Sequence, residues 1–307
     1  MYNGIKIKEG NEMIERKKPA ENYREVMEHG GTVDRLTYET NTYDEKKQNL
    51  TKTLNVYLPA GYDNAETYNI FYLMHGGGEN QDTLLTGPGE NSELKCIIDH
   101  MIANRDIEPM IIVTPCFYNE GDLDASRLVR NYYHELTNDV MPLIEKKYHT
   151  YATSLLTEDN ADEVFTKTRE HRAFGGFSMG SACTWYTYIN CLDYFKFFMP
   201  LSGDCWHYED MGGRIVPQET AQFLADVAVK SGYRKEDYYI YCSTGDKDIA
   251  YANLVPQIEE MKKHTEAFTF TEDGKDGNLV FAVTEGTTHW WHYVYDYIYE
   301  SLTFFFK

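Results

Sequence analysis

Basic residues are scarce in this chain of 307 residues, and their scarcity excludes several classes of partner. Lysine and arginine total 29 against 49 aspartates and glutamates, so the formal net charge is −20. Binding to nucleic-acid backbones and to anionic membrane surfaces depends mainly on lysine and arginine. We therefore expect neither a nucleic acid nor a membrane as a partner.

The cysteines form no CxxC motif and no regular disulfide framework. A chain of this length does not need cross-links to fold, so we expect its cysteines to be small buried hydrophobic residues. The sequence leaves a single disulfide open. The six are Cys96, Cys116, Cys183, Cys191, Cys205 and Cys242.

Long apolar runs are also absent, so we expect no membrane-spanning segment. The first nine residues, Met1–Glu9, lack the apolar region of a signal peptide. Two localisations stay open from the residues alone: a cytoplasmic protein, or a mature or excised module of a longer one. We read residues 1–31 as a tail or linker remnant, with a short helical pattern near residues 21–28.

Aromatic residues are plentiful, with 26 tyrosines, 15 phenylalanines and 4 tryptophans. Aromatic rings bury large areas, and tyrosine adds a polar group that is useful at binding surfaces. Sugars and aromatic acids would both suit such a surface.

Strand and helix signals alternate from Thr32 onward, without internal repeats. This alternation predicts one α/β domain over residues 32–307, with a mainly parallel sheet flanked by helices. Ligands of such sheets bind at the carboxyl ends of the strands. The predicted strands are Val33–Thr40, Thr53–Leu58, Asn69–Met74, Met110–Thr114, Ala173–Phe177, Phe197–Leu201, Tyr238–Cys242 and Leu279–Val283. The predicted helices are Ser126–Tyr148, one that starts at Met179, Asn253–His264 and His292–Phe305.

A G-x-S-x-G motif lies between a predicted strand and a predicted helix, at Gly176–Gly180. A sharp turn there would raise the Ser178 hydroxyl above the sheet as a nucleophile. The alternative is an ordinary glycine-rich turn, which the strand-turn-helix context disfavours.

A serine nucleophile needs a base and an acid. Where a strand-turn-helix carries the serine, the acid usually follows the serine in the chain, and the histidine follows the acid. Asp248 ends the turn after the strand Tyr238–Cys242, and we favour it over Asp246, which would be a solvated turn carboxylate. His289 follows the strand that ends at Val283 and is the predicted base.

His292 is the other candidate base, but it falls inside the last helical pattern, where packing is the simpler role. The pair His289 and His292 has metal-ligand spacing. No convincing carboxylate or cysteine set accompanies the two histidines, so we expect no metal.

An oxyanion hole needs two backbone donors. The N–H of Met179, directly after the nucleophile, is one. The glycine-rich loop His75–Gly78 follows a buried strand and fits the HGGG type of loop, so we assign Gly77 as the second donor. A plain glycine-rich turn is the alternative.

Five segments together resemble the carbohydrate esterase family 1 feruloyl esterases, in particular the esterase modules of multimodular clostridial and rumen xylanases. The resemblance covers about residues 32–307. Two departures are Ser181, where glycine is common, and a longer segment, Ala152–Arg169, that either is a surface insertion or borders the site. The segments are YLMHGGGEN, RAFGGFSMGSACTWY, NCLDYFKFFMPLSGD, STGDKDIAYANLVPQIEEMK and GTTHWWHYVYDYIY.

The resemblance implies an α/β-hydrolase fold, a catalytic triad of Ser178, Asp248 and His289, no cofactor, and hydrolysis of feruloyl esters on plant cell-wall arabinoxylan. It also implies secretion and other modules on a larger xylanase polypeptide. An acetyl-xylan or other short-acyl esterase on the same triad is the alternative. A peptidase is disfavoured because nothing in the sequence indicates a subsite for a peptide. A non-catalytic carbohydrate-binding module is disfavoured because the triad is intact.

Substrate contacts are predicted after the strand that ends at Leu201. Asp204 and Trp206 should reach the rim of the site, and Trp290 is a third candidate because it adjoins His289. Packing in the core is the alternative role for the tryptophans.

Overall fold

The computed structural model describes residues 16–307, which are built around a nine-stranded sheet. The sheet has the strand order β1-β2-β4-β3-β5-β6-β7-β9-β8. β1 pairs antiparallel with β2, and β2 antiparallel with β4, while the other neighbours are parallel. The predicted mainly parallel sheet is therefore confirmed. In chain order the strands are β1 Thr32–Asn41, β2 Asn49–Leu58, β3 Asn69–Met74, β4 Met110–Thr114, β5 Arg172–Phe177, β6 Phe197–Leu201, β7 Tyr239–Gly245, β8 Phe270–Thr271 and β9 Leu279–Thr284.

Helices cover both faces of the sheet. The α-helices are α1 Asp82–Leu85, α2 Glu93–Ala103, α3 Ala125–Glu135, α4 Met141–Lys147, α5 Ala161–Lys167, α6 Met179–Cys191, α7 Gly212–Ile215, α8 Pro217–Ser231, α9 Tyr251–Met261 and α10 Trp291–Leu302. A π-helical turn, Leu136–Val140, joins α3 to α4, so the predicted single helix over 126–148 is continuous but changes its pitch.

Alternate residues of the buried strands enter two separate cores, because successive strand side chains point to opposite faces. In β3, Ile70 and Tyr72 pack with residues of α3, α6, α8 and α9. Phe71 and Leu73 pack with residues of α2 and α10. Burial on both faces explains why β3 is an almost uninterrupted apolar run.

The buried ion pair of Arg172 and Glu145 anchors the start of β5, the strand that leads to Ser178. Both side chains are 1% exposed, and Arg172 Nε lies 2.7 Å from Glu145 Oε1. Arg172 Nη2 also donates to Glu145 Oε2 and to Thr168 Oγ1, and Tyr72 Oη donates to Glu145 Oε1. The ion pair and these hydrogen bonds together offset the cost of burying the two charges.

The segment Ala152–Arg169 packs at this end of β5, away from Ser178. Its Phe165 is buried, and the Phe165 carbonyl accepts a hydrogen bond from Arg172 Nη1 at 2.7 Å. Ser178 follows the opposite end of the same strand. Of the two roles left open for this segment, the structure supports a surface insertion, at the end of the sheet far from Ser178.

Residues 16–31, the described part of the expected tail, lie against the domain. Residues 1–15 of that tail lie outside the described residues. The helical pattern near 21–28 is a single 3₁₀ turn, Glu21–Arg24. Arg24 forms ion pairs with Glu93 and Asp296, and the Gly31 N–H donates to Asp99 Oδ1 at 2.7 Å. This stretch is therefore docked on α2 and α10.

All six cysteines are buried and unpaired, as expected of small hydrophobic residues. Between residues 16 and 307, no helix combines the length and the apolar character needed to cross a membrane.

Candidate active site

Ser178 occupies a strained turn between β5 and α6. Its backbone angles are φ 56 and ψ −115, a conformation that costs a non-glycine residue about 1–3 kcal/mol. The flanking glycines make room for this turn. A Cβ added to Gly176 would lie 2.5 Å from the Gly180 carbonyl oxygen, and one on Gly180 would lie 2.5 Å from the His75 carbonyl oxygen. The turn therefore holds the serine hydroxyl beyond the end of the sheet.

The structure brings Ser178, His289 and Asp248 together in a line of hydrogen bonds. His289 Nε2 lies 2.8 Å from Ser178 Oγ, and His289 Nδ1 lies 2.7 Å from Asp248 Oδ1. Both bonds are satisfied when Nδ1 carries the proton and Nε2 accepts from the serine. Asp248 is 6% exposed, and its Oδ1 also accepts the Ala250 N–H at 2.7 Å. The imidazole is thereby fixed in the tautomer that can remove the serine proton.

The two rival residues have other contacts. Asp246 accepts the Gly286 N–H at 2.6 Å, which links the turn after β7 to the loop that carries His289. His292 lies in α10, with Nδ1 3.7 Å from Glu93 Oε1. Both nitrogens of His289 are engaged by Ser178 and Asp248, so His289 has no nitrogen left to ligate a metal with His292. Throughout residues 16–307 there is no group of three or more potential metal ligands.

Gly77 and Met179, the predicted oxyanion donors, are neighbours across the site. A Cβ on Gly77 would lie 2.8 Å from Met179 Sδ. Met179 is the first residue of α6, so its N–H has no partner within that helix. The positive end of the helix dipole also lies there, next to Ser178.

His75 supports this loop as a neutral imidazole. Its Nδ1 donates to the Gly76 carbonyl at 2.8 Å, and its ring stacks on Phe117 with centroids 4.6 Å apart. Burial lowers the pKa of His75 to about 4, because the charged form would lose its hydration. The histidine of the HGGG motif therefore acts as an uncharged part of the loop's support.

A cavity of about 260 Å³ opens at Ser178. Its wall carries both glycine backbone and aromatic rings, which is typical of a site that binds a partly apolar ligand. Trp290, predicted as a substrate contact, is 66% exposed and lines the mouth of the cavity. The lining residues are Gly76, Gly77, Glu79, Phe177, Ser178, His289, Trp290 and Trp291.

Asp204 does not line this cavity, and its prediction as a pocket residue is corrected. It is 2% exposed, with Oδ2 accepting the Gly213 N–H at 2.8 Å and Oδ1 accepting from Trp206 Nε1 at 3.2 Å. Burial raises its pKa. Asp204 therefore orders the loop after β6.

Trp206 is half-buried and is also absent from the lining of the cavity within the described chain. It belongs to the loop after β6, which touches the nucleophile turn: a Cβ on Gly203 would lie 2.5 Å from the Ser178 carbonyl oxygen. Its own carbonyl accepts a hydrogen bond from Tyr186 Oη at 2.6 Å. The backbone of Trp206 is thus held against α6, and its predicted contact with the substrate stays a prediction.

Sequence reasoning missed Glu79, Phe177, Trp291 and Tyr118. Glu79 directly follows the glycine loop, and Tyr118 lies four residues after β4. The rule that functional residues follow parallel strands could have found both. Phe177 packs on His289 and on Trp291, with centroids 4.4 and 4.6 Å apart. No sequence signal distinguishes these two aromatic residues from core residues.

Comparison with known proteins identifies the family of the chain. Residues 47–296 match the Esterase family, described as "Putative esterase". Over 258 residues, 84% of this chain, the sequence is 47% identical to endo-1,4-beta-xylanase Y of Acetivibrio thermocellus. It is 26% identical over 87% of its length to an endo-1,4-beta-xylanase/feruloyl esterase of Xylanibacter ruminicola. The chain spans only 22% and 30% of the lengths of these two relatives.

A solved structure is similar over nearly the whole chain. It is a serine-to-alanine mutant of the feruloyl esterase module from Clostridium thermocellum, in complex with sinapinate. It superimposes with a TM-score of 0.82 at 42% identity, covering 95% of this chain and 94% of that one. The resemblance to carbohydrate esterase family 1 feruloyl esterases is thereby confirmed. The chain belongs to this esterase family and is a carboxylic ester hydrolase with the α/β-hydrolase fold.

Proposed function

We propose that the chain hydrolyses feruloyl and related hydroxycinnamoyl esters on plant cell-wall arabinoxylan through an acyl-enzyme intermediate. One observation carries the proposal: the hydrogen-bonded line from Asp248 through His289 to Ser178 ends in a cavity walled by aromatic rings. The similar module binds sinapinate, a hydroxycinnamate. The two curated relatives are xylanases by name.

In the proposed first step, Ser178 attacks the ester carbonyl while His289 Nε2 takes the hydroxyl proton. Asp248 holds the imidazole and stabilises its charged form. The carbonyl π electrons move onto its oxygen to form the tetrahedral intermediate. His289 then protonates the departing sugar oxygen, which leaves as the intermediate collapses to the acyl-enzyme.

In the second step, water attacks the acyl-enzyme and His289 accepts its proton. The hydroxycinnamic acid leaves when the proton returns to Ser178 Oγ, so the enzyme ends unchanged. In both steps the N–H groups of Gly77 and Met179 stabilise the negative oxygen. One such donor is worth about 2.7–4 kcal/mol in hydrolases where it has been removed.

We place the sugar side of the ester near Trp290 and Trp206. Trp290 offers an exposed ring at the mouth of the cavity. Trp206 is oriented by Asp204 on the loop that touches the nucleophile turn. Exposed indole rings suit the apolar faces of pentose units.

The second candidate is a short-acyl esterase, such as an acetyl-xylan esterase, on the same triad. The cavity of about 260 Å³ favours the larger acyl group, since an acetyl group would leave most of it to water.

The proposed substrate also implies two things about the setting in which the chain works. The chain is associated with other modules of a longer xylanase polypeptide, and it acts on the polymer outside the cell. The short coverage of the two curated relatives supports the modular part.

A panel of esters tests the proposal. The kcat/KM values for methyl ferulate, methyl p-coumarate and methyl sinapate should each exceed that for methyl acetate by at least about 10-fold. A factor of that size corresponds to roughly 1.4 kcal/mol of selective transition-state binding. Ser178→Ala should abolish all of these activities. Faster cleavage of acetate than of every hydroxycinnamate would select the short-acyl alternative.

A further inference from the structure

Two of the three consecutive glycine amides beside Ser178 are held by side chains. The Gly76 N–H donates to Glu79 Oε2 at 2.7 Å, and the Gly78 N–H donates to Tyr118 Oη at 2.9 Å. Among residues 16–307, no partner is found for the Gly77 N–H between them, and Gly77 lines the cavity. One donor of the three is left for a ligand.

We propose that Glu79 and Tyr118 are positioning residues of the oxyanion hole, which hold the glycine loop so that the Gly77 N–H faces the reacting carbonyl. This inference rests on the proposed function, in which Gly77 is an oxyanion donor. Neither side chain needs to touch the substrate to act in this way. Each acts through the backbone that it binds.

Glu79 joins the donor loop to the part of the site that holds the base. Its second oxygen, Oε1, accepts from Trp291 Nε1 at 2.6 Å. Trp291 packs on Phe177, and Phe177 packs on His289. Only a carboxylate offers an acceptor on each oxygen, since an amide has one acceptor oxygen and one donor nitrogen.

Tyr118 joins the donor loop to the other oxyanion donor. Its hydroxyl accepts from Gly78 and donates to Met179 Sδ at 3.8 Å. Its ring packs on Phe117 with centroids 4.4 Å apart, and on His75 with centroids 5.8 Å apart. One hydroxyl therefore contacts Met179 and Gly78, the neighbour of Gly77 in the loop.

Such support matters because this loop is glycine. Gly78 has φ +76, and a glycine backbone has more conformations to lose than any other. Oxyanion donors stabilise a transition state only when they are oriented before the reaction. Loss of one holding bond should misplace the Gly77 N–H without removing it.

The test uses Glu79→Gln, Tyr118→Phe and the double variant, with methyl ferulate and 4-nitrophenyl acetate as substrates. Glu79→Gln is isosteric but must lose one of the two accepted bonds, and Tyr118→Phe keeps the ring while losing the hydroxyl. Each single variant should lower kcat by about 10- to 100-fold, less than deletion of a whole donor costs. The exposed Glu120→Gln and the half-buried Tyr133→Phe are matched controls that should retain full activity.

A second readout separates positioning from a role in ground-state binding. The Ki of a trifluoromethyl ketone analogue of ferulate, which forms a tetrahedral oxyanion on Ser178, should rise by the same factor as kcat/KM falls. The Kd of methyl ferulate, measured in a Ser178→Ala background, should stay within about 2-fold. Circular dichroism and the melting temperature report whether each variant is folded.

Two results would overturn the inference. One is full kcat in folded Glu79→Gln and Tyr118→Phe. The other is a Kd that weakens as much as the Ki, because that outcome assigns both residues to substrate binding. Failure of the proposed function would be visible separately, as wild-type protein that cleaves 4-nitrophenyl acetate but not methyl ferulate.

Discussion

Ser178 Oγ and His289 Nε2 are 2.8 Å apart although 111 residues separate them in the chain. The distance results from two loops that leave the same edge of a parallel sheet, one after β5 and one after β9. Asp248, after β7, lies on the loop between them in the sheet order and reaches the far nitrogen of the imidazole. The sheet, rather than any local contact, assembles the three residues.

Substitution of the two neighbouring aspartates should separate their roles. Asp248→Asn should lower kcat on the order of 10³-fold or more, because the amide no longer favours the tautomer that makes Nε2 basic. Asp246→Asn, which keeps an oxygen to accept the Gly286 N–H, should change kcat by less than about 10-fold. Steady-state kinetics on one ester measure both. Equal losses in the two variants would contradict the assignment of the acid.

The close packing of the nucleophile turn predicts that a larger residue at Gly180 lowers the stability of the protein. In Gly180→Ala the new methyl group would lie 2.5 Å from the His75 carbonyl oxygen and 2.6 Å from that of Met74. Because backbone must move to relieve these contacts, the free energy of unfolding should fall by about 1–3 kcal/mol. Urea unfolding measures the change.

Gly87→Ala is the matched control for that experiment. Its new methyl group would meet only the end of the Arg35 side chain, at 3.0 Å. A flexible side chain can move aside, so the control should lose less stability than Gly180→Ala. The reverse order would show that the close packing of the turn against the glycine loop does not decide the cost.

The sequence predicts the sheet well because burial on both faces makes short apolar runs. The runs Asn69–Met74, Met110–Thr114 and Phe197–Leu201 are strands with those bounds. The helix Pro217–Ser231 is absent from the sequence prediction, since its buried face consists of alanine and threonine apart from Leu224 and so gives a weak apolar signal. The π-helical turn at Leu136–Val140 was likewise beyond a pattern read at constant pitch.

The residues of the site were also only partly predictable from the sequence. Ser178, Asp248 and His289 follow buried strands, so their side chains were predictable as a group at one edge of the sheet. Asp204 obeys the same rule and yet turns inward, where it binds the Gly213 N–H and Trp206 Nε1. Position along the chain gives the edge of the sheet, but the direction of a side chain depends on partners that only the tertiary structure supplies.

The buried His75 predicts a pH dependence of stability. Its pKa in the folded protein is about 4, below the value of about 6.5 for an unperturbed histidine. As the pH falls below about 6.5 the unfolded chain takes up the proton first, so the folded state loses stability between about pH 6.5 and pH 4. This site should lower the free energy of unfolding by about 2 kcal/mol between about pH 7 and pH 5.

Urea unfolding of wild type and His75→Asn at the two pH values checks the sign and the size. The asparagine amide can still donate to the Gly76 carbonyl but does not titrate, so the variant should lose about 2 kcal/mol less than wild type on acidification. His29→Asn, an exposed position, controls for the removal of a histidine. An unchanged pH dependence in His75→Asn would show that the imidazole is not held neutral by burial.

The exposed ring of Trp290 should act on the substrate rather than on the fold. Its side chain is 66% exposed at the mouth of the cavity, so Trp290→Ala should leave the melting temperature within about 2 °C of wild type, as a surface substitution does. If the indole stacks on a pentose, KM for a feruloylated arabinoxylan oligosaccharide should rise by about 5- to 30-fold, the effect of 1–2 kcal/mol. KM for methyl ferulate, which has no sugar, should change far less.

The comparison of the two substrates in one variant decides the role. Trp206→Ala, measured in parallel, tests the ring that Asp204 orients. An equal rise of KM on both substrates would move Trp290 from the sugar side of the ester to the acyl side. An unchanged KM on both substrates would show that Trp290 does not contact the substrate.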